Sequence, residues 1–91
     1  MTEPHRHTSH PAIAKRLKRA EGHLRSIGGM LEEGRPCAEI AQQLHAVQKA
    51  VEQAKRVLIQ DHMDHCLSTP APGPKVLQAA LDEMRALTKY L

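Results

Sequence analysis

The chain has 91 residues, 41% of them apolar but only 1% aromatic, with Tyr90 as its one residue of the Phe, Trp and Tyr class. That length accommodates a single domain and excludes a catalytic domain joined to a separate binding domain, while an aliphatic core this small is marginal alone and predicts an oligomer. The 13 Lys and Arg against 10 Asp and Glu leave a formal charge of +3, which is compatible with an anionic partner without demanding one.

Residues 1–12 carry His5, His7 and His10 and no apolar run, so they read as a flexible tail ahead of one all-α domain over residues 13–91. No stretch has the length and apolarity of a secretion signal or a membrane span, which predicts a soluble, cytoplasmic protein. Two cysteines, Cys37 and Cys66, are too few for a disulfide scaffold and point to a reducing compartment.

From Ile13, apolar residues recur at Leu17, Ala20, Leu24, Ile27 and Leu31. These steps of four and three trace one face of a helix. Pro11 suits its first turn, and Gly34, Arg35 and Pro36 supply the stop. A second periodic run, Cys37, Ile40, Leu44, Val47, Val51, Ala54 and Leu58, meets no Gly or Pro before Pro70. It predicts a helix of about thirty residues and about 45 Å, too long for a compact globule of this size. A seam that long needs partners along its whole length, and the first helix covers only part of it. The stretch STPAPGP over residues 68–74 is a breaker-rich linker. Leu77, Leu81, Met84, Thr88 and Leu91 then mark a shorter third helix. No strand pattern occurs, so the fold class is all-α.

Cys37, His62 and Cys66 are the one arrangement of metal-ligating side chains that rises above background. His62 and Cys66, at i and i+4, share one face and can chelate one ion. Cys37 lies on that face too, but 25 residues before His62, about 37 Å along the axis. One chain therefore cannot close a site with all three. Two antiparallel copies of the second helix would bring the Cys37 end of one against the His62 and Cys66 end of the other, twice, by two-fold symmetry. Thiolate with imidazole suits Cu(I), Zn(II) or Ni(II) over Mg(II) or Ca(II). The competing reading makes both cysteines small buried hydrophobes of a bundle seam. His65 is a rival donor, and His23 and His45 read as helix-surface residues.

Lys15, Arg16, Lys18, Arg19 and Arg25 against Glu21 alone leave +4 across residues 15–25, a density suited to DNA phosphates. Lys49, Lys55 and Arg56 extend that surface, although Glu52 interrupts it. No helix-turn-helix, zinc finger or aromatic platform accompanies it, so a bundle face would grip the duplex. The chain lacks paired carboxylates in an apolar pocket, a Gly-rich phosphate loop and a nucleophile with a base, which argues against an enzyme.

Residues 16–67, RLKRAEGHLRSIGGMLEEGRPCAEIAQQLHAVQKAVEQAKRVLIQDHMDHCL, resemble the CsoR/RcnR family of metal-sensing bacterial repressors. The spacing of Cys37, His62 and Cys66 carries the likeness, as do the basic first helix and its Glu21-Gly22-His23 element. The resemblance implies two antiparallel helices dimerising into a four-helix bundle, usually assembled as a dimer of dimers. It also implies that the metal-free protein binds operator DNA and that metal releases it, controlling metal efflux or resistance genes.

Copper sensors of the family use the Cys-His-Cys set alone, whereas nickel and cobalt sensors add a histidine 32 residues before the first cysteine, here His5. That match favours Ni(II), or Co(II), over Cu(I). The chain departs from the copper branch at Pro36, where that branch carries tyrosine, and from the family at Gln48, where an arginine is usual, with Lys49 beside it. A persulfide sensor using Cys37 and Cys66 and a helical metal-binding protein without a DNA role stay open as alternatives, while Thr2 argues against the formaldehyde-sensing branch, which carries proline there.

Overall fold

A computed structural model of the chain describes residues 9–68 and 73–91. Three helices follow one another, α1 over His10–Glu32, α2 over Cys37–Ser68 and α3 over Pro74–Leu87, with a closing 3-10 turn at Thr88–Tyr90. The α1 boundary differs slightly from the sequence expectation. Residues 10–12, assigned to the tail, are helical, with Pro11 in the first turn where its missing N–H costs no hydrogen bond.

The α1–α2 hairpin turns where its sequence demands. Gly34 has φ +73, a left-handed conformation that glycine adopts without a Cβ penalty. Its N–H bonds to the Leu31 carbonyl at 3.1 Å and the Arg35 N–H to the Met30 carbonyl at 3.0 Å, which is the Schellman closure of a helix. Pro36 cannot continue α1, and its carbonyl instead accepts from Glu39 and Ile40 at 3.0 and 3.1 Å to open α2.

Packing is strongest within this hairpin. Ala20 and Ile27 of α1 form one buried cluster with Ile40 and Val47 of α2, with Met30 against it, and Ile13, Ala54 and Ile59 are buried as well. The two helices run antiparallel, so the start of α1 meets the far part of α2. His23 Nε2 lies 2.6 Å from Gln43 Oε1 midway along, and the Ser9 hydroxyl donates to Asp61 Oδ2 at 2.6 Å at the open end.

The single periodic face expected for each helix divides in two. Every second member of the pattern is buried between α1 and α2, whereas Leu17, Leu24, Leu31, Leu44, Val51 and Leu58 are exposed by 38–61%. A two-helix hairpin presents one line of contact, and a heptad seam has two. The chain measures 58 × 29 × 16 Å, and its 16 Å dimension is little more than one helix diameter, a single layer with nothing over its second seam. The third helix adds little cover. Its half-buried side is Ala80, Met84 and Leu87 in place of the expected Leu77, Leu81 and Met84, and none of its residues is fully buried. Beyond it, Tyr90 and Leu91 face Ile59 and Met63 of α2 across an open groove of about 480 Å³.

Candidate metal centre and nucleic-acid interface

Helix α2 is 32 residues long and α1 is 23, so α2 outruns its partner at the open end of the hairpin. With Ser9 bonded to Asp61, the last turns of α2 project past the first residue of α1. His62 and Cys66 stand there, both half-buried. One turn of helix separates them in sequence, and Cys66 Sγ lies 3.5 Å from His62 Nε2.

That separation tests whether the pair fits a metal ion. With metal–sulfur and metal–nitrogen bonds of about 2.3 and 2.0 Å, a tetrahedral site sets its two donors about 3.5 Å apart, a trigonal site about 3.7 Å and a square-planar site about 3.1 Å. The observed bite fits a tetrahedral ion and needs only a side-chain adjustment for the others. Two donors do not complete a site, and among the described residues no three His, Cys, Asp or Glu side chains converge as a metal-binding group.

Cys37 is exposed in the first turn of α2, at the opposite end of the rod, so the structure keeps it apart from His62 and Cys66 within one chain. Cys37 falls on the exposed half of the periodic pattern, in line with Leu44, Val51 and Leu58. His5, together with His7, lies outside the described residues. His65 is exposed one position before Cys66. His45 is on the surface, as its position in the sequence implied, but His23 is not: it is half-buried and bridges α1 to α2 through Gln43. Sequence reasoning assigned nothing to Ser9 or Asp61. Ser9 carried a signal, a serine preceding a helix with Pro in its first turn, which ordinarily marks an N-cap. Asp61 had none beyond its place beside His62.

The basic residues fall together on the outer surface. Lys15, Lys18, Arg19 and Arg25 project about 120–240° around α1 from the buried Ile13, and Arg16 about 300°. All five are exposed, as is Lys49 on α2. Among the described residues, ion pairs join Arg35 to Glu33 and Glu39, Arg56 to Glu52 and Arg85 to Asp82, and none engages the basic residues of α1 or Lys49. Their charge faces water unneutralised, and Arg56, part-occupied by Glu52, contributes less.

Comparison with known proteins agrees with this geometry. Metal-sensitive transcriptional repressors, as a family, match residues 9–90. The copper-sensing transcriptional repressor CsoR of Mycobacterium ulcerans is 39% identical over 79 residues, covering 87% of this chain and 67% of that protein. The CsoR of Bacillus subtilis is 36% identical over 80 residues, covering 85% of this chain and 79% of its own length. Among solved structures, the nickel-responsive transcriptional regulator InrS superposes with a TM-score of 0.76 at 32% identity, covering 94% of this chain and 96% of that one. All are named as transcriptional regulators, and they differ in the metal named. The all-α hairpin and the extent of these matches together establish that the chain belongs to the CsoR/RcnR family of metal-sensitive transcriptional repressors.

Proposed function

We propose that this chain is a cytoplasmic, homo-oligomeric repressor that holds operator DNA when metal-free and leaves it when Ni(II), or Co(II), binds, so controlling metal efflux or resistance genes. Residues 13–91 form the sensing and DNA-binding domain, and the tail before them supplies a further ligand. Each site takes Cys37 from one subunit and His62 and Cys66 from its partner, with His5 of that partner as the fourth donor. The exposed seam of Leu17, Leu24, Leu31, Leu44, Val51 and Leu58 is the surface through which two copies pair, and antiparallel pairing of α2 brings opposite ends together twice per dimer.

One observation carries the choice of a tail donor. Ser9 is hydrogen-bonded to Asp61, the residue before His62, so the tail leaves α1 at the donor end of its own subunit. The four residues from Ser9 back to His5 reach at most about 14 Å, enough for His5 to meet His62 and Cys66. When bound, the ion supplies coordination alone, drawing thiolate and imidazole from two subunits into one cluster. The residues of the chain do the rest. His5 moving onto the donor pair pulls the first turn of α1, and Lys15, Arg16, Lys18, Arg19 and Arg25 move with it, which disfavours the DNA-bound arrangement. Lys49 adds to the same phosphate-facing surface.

The test is an anaerobic titration with mixed subunits. Cys37→Ala alone and His62→Ala with Cys66→Ala alone each bind no nickel, whereas a mixed dimer of the two recovers one intact site of the two. Failure of the mixture to recover the thiolate-to-nickel absorption band overturns the inter-subunit assignment. His5→Ala is expected to weaken that band and nickel-driven release from DNA, and unchanged behaviour would remove His5 from the set. The unsubstituted chain shifts a duplex from upstream of the coding sequence, and no shift at all would leave a helical metal-binding protein without a DNA role. Arg16→Glu with Arg19→Glu abolishes the shift, and an unchanged shift would move the DNA-binding surface off α1.

A second reading is favoured by a specific observation. The 3.5 Å separation of Cys66 and His62 lies nearer the spacing of about 3.7 Å in a three-ligand trigonal site than that of about 3.1 Å in a square-planar one, and the CsoR relatives are named as copper sensors. Tight Cu(I) binding indifferent to His5→Ala, with weak nickel binding, would select that three-ligand sensor.

A further inference from the structure

We propose that the hydrogen bond from the Ser9 hydroxyl to Asp61 is a latch that positions the root of the tail beside the metal donors, making Ser9 and Asp61 positioning residues for the tail histidine. The inference rests on the four-donor reading above and goes beyond it, since that reading requires only that the tail be near. A serine ahead of a helix ordinarily turns its hydroxyl onto the N–H groups of its own first turn. Ser9 makes no such cap, and α1 has no acidic residue in its first turn. The hydroxyl crosses instead to a residue 52 positions away, at 2.6 Å and in a part-buried setting. The Asp61 carboxylate thereby sets its negative charge at the N-terminus of α1, where the exposed N–H groups favour an anion.

The arrangement has two consequences for the site. A bond to Asp61 places Ser9 against the residue next to His62, which shortens the search of any donor in the residues before it for the ion and raises its effective concentration there. It also sets the side of α1 from which the chain departs, so that a pull by His5 reaches the first turn through Ser9. Loss of the latch leaves Cys37, His62 and Cys66 untouched and weakens only what the tail adds.

Ser9→Ala and Ser9→Thr, each with and without His5→Ala, are titrated with Ni(II) and with Cu(I) under anaerobic conditions. Ser9→Ala is expected to weaken nickel binding about tenfold and to change Cu(I) affinity by less than about twofold, within the range that residues supporting metal ligands show. Ser9→Thr, which keeps the hydroxyl, restores nickel binding, and Ser9→Ala adds no loss once His5 is already Ala. Equal loss for both metals, or an undiminished loss in the His5→Ala background, would make the bond plain scaffolding and overturn the proposal. Nickel binding that falls with His5→Ala but not with Ser9→Ala would overturn the latch and leave the four-donor site standing. Nickel binding indifferent to His5→Ala would instead remove the tail from the site, and the latch with it.

Discussion

The two ends of the α1–α2 hairpin are built on different terms. At the open end a side-chain hydrogen bond between Ser9 and Asp61 joins the helices, and His62 and Cys66 already face each other at 3.5 Å. At the closed end the backbone does the joining, through Gly34 and the carbonyls of Leu31, Met30 and Pro36, and a lone exposed Cys37 follows. One end sets an imidazole beside a thiol on polar supports, and the other carries a single thiol on a rigid turn. The proposed site, with its halves some 37 Å apart along one rod, closes only when a second rod runs the other way. In the proposed function the outward seam brings the ends together, so the contrast between them bears on assembly as well.

The largest effect should come from separating the ends. Leu44→Glu with Val51→Glu puts two charges at the middle of the exposed seam of α2, where a partner would bury them without counter-charges. Light scattering should then report the monomer mass in place of a dimer or tetramer, and nickel should no longer change DNA affinity. A dimer that survived both substitutions would move the pairing surface elsewhere, and with it the argument that Cys37 meets a partner's donors. Ile27→Ala comes next. Ile27 is the most buried side chain of the core at 2% exposure, and its truncation should lower unfolding stability by about 2–5 kcal/mol, read by urea denaturation at a protein concentration where the oligomer persists. It lies between the two ends, so it should weaken both alike and leave the metal preference unchanged. A shift in the ratio of nickel to copper affinity would show that core packing also sets the donor geometry.

Much of this was legible in the sequence, and the parts that were not share a cause. The steps of four and three from Ile13 and from Cys37 located α1 and α2, and Gly34 with Pro36 located the turn, because helix periodicity and turn chemistry are local. The same periodicity did not reveal that Ile13, Ala20 and Ile27 face α2 while Leu17, Leu24 and Leu31 face outward, since the division depends on where the second helix lies. His23 failed for that reason also. A half-buried histidine bonded to Gln43 looks like any polar helix residue until its neighbour across the hairpin is known. The donor spacing of Cys37, His62 and Cys66 was readable as a pattern, but the Ser9–Asp61 bond spans 52 residues and follows from the antiparallel register alone.

The smallest effect, and the one that sharpens the comparison most, comes from Gly34→Ala at the closed end. A Cβ added there would meet no atom within 4 Å, so space is no obstacle and the cost is confined to holding an L-residue at φ +73. That conformation costs a residue with a side chain about 1 kcal/mol relative to glycine, and urea denaturation should report a loss of that size, with Gly34→Asn losing less because asparagine tolerates the left-handed region. Ser9→Ala at the open end should cost a comparable amount, since one net side-chain hydrogen bond contributes about 1 kcal/mol. The two substitutions then match in stability and differ in what the metal reads. Gly34→Ala leaves the first turn of α2 anchored by the Pro36 carbonyl to Glu39 and Ile40, so Cys37 keeps its place and nickel affinity should hold, whereas Ser9→Ala frees the root of the tail and nickel affinity should fall. Equal effects of the two on nickel at equal effects on stability would mean that the site senses only how firmly the hairpin is closed, and that its two ends are interchangeable after all.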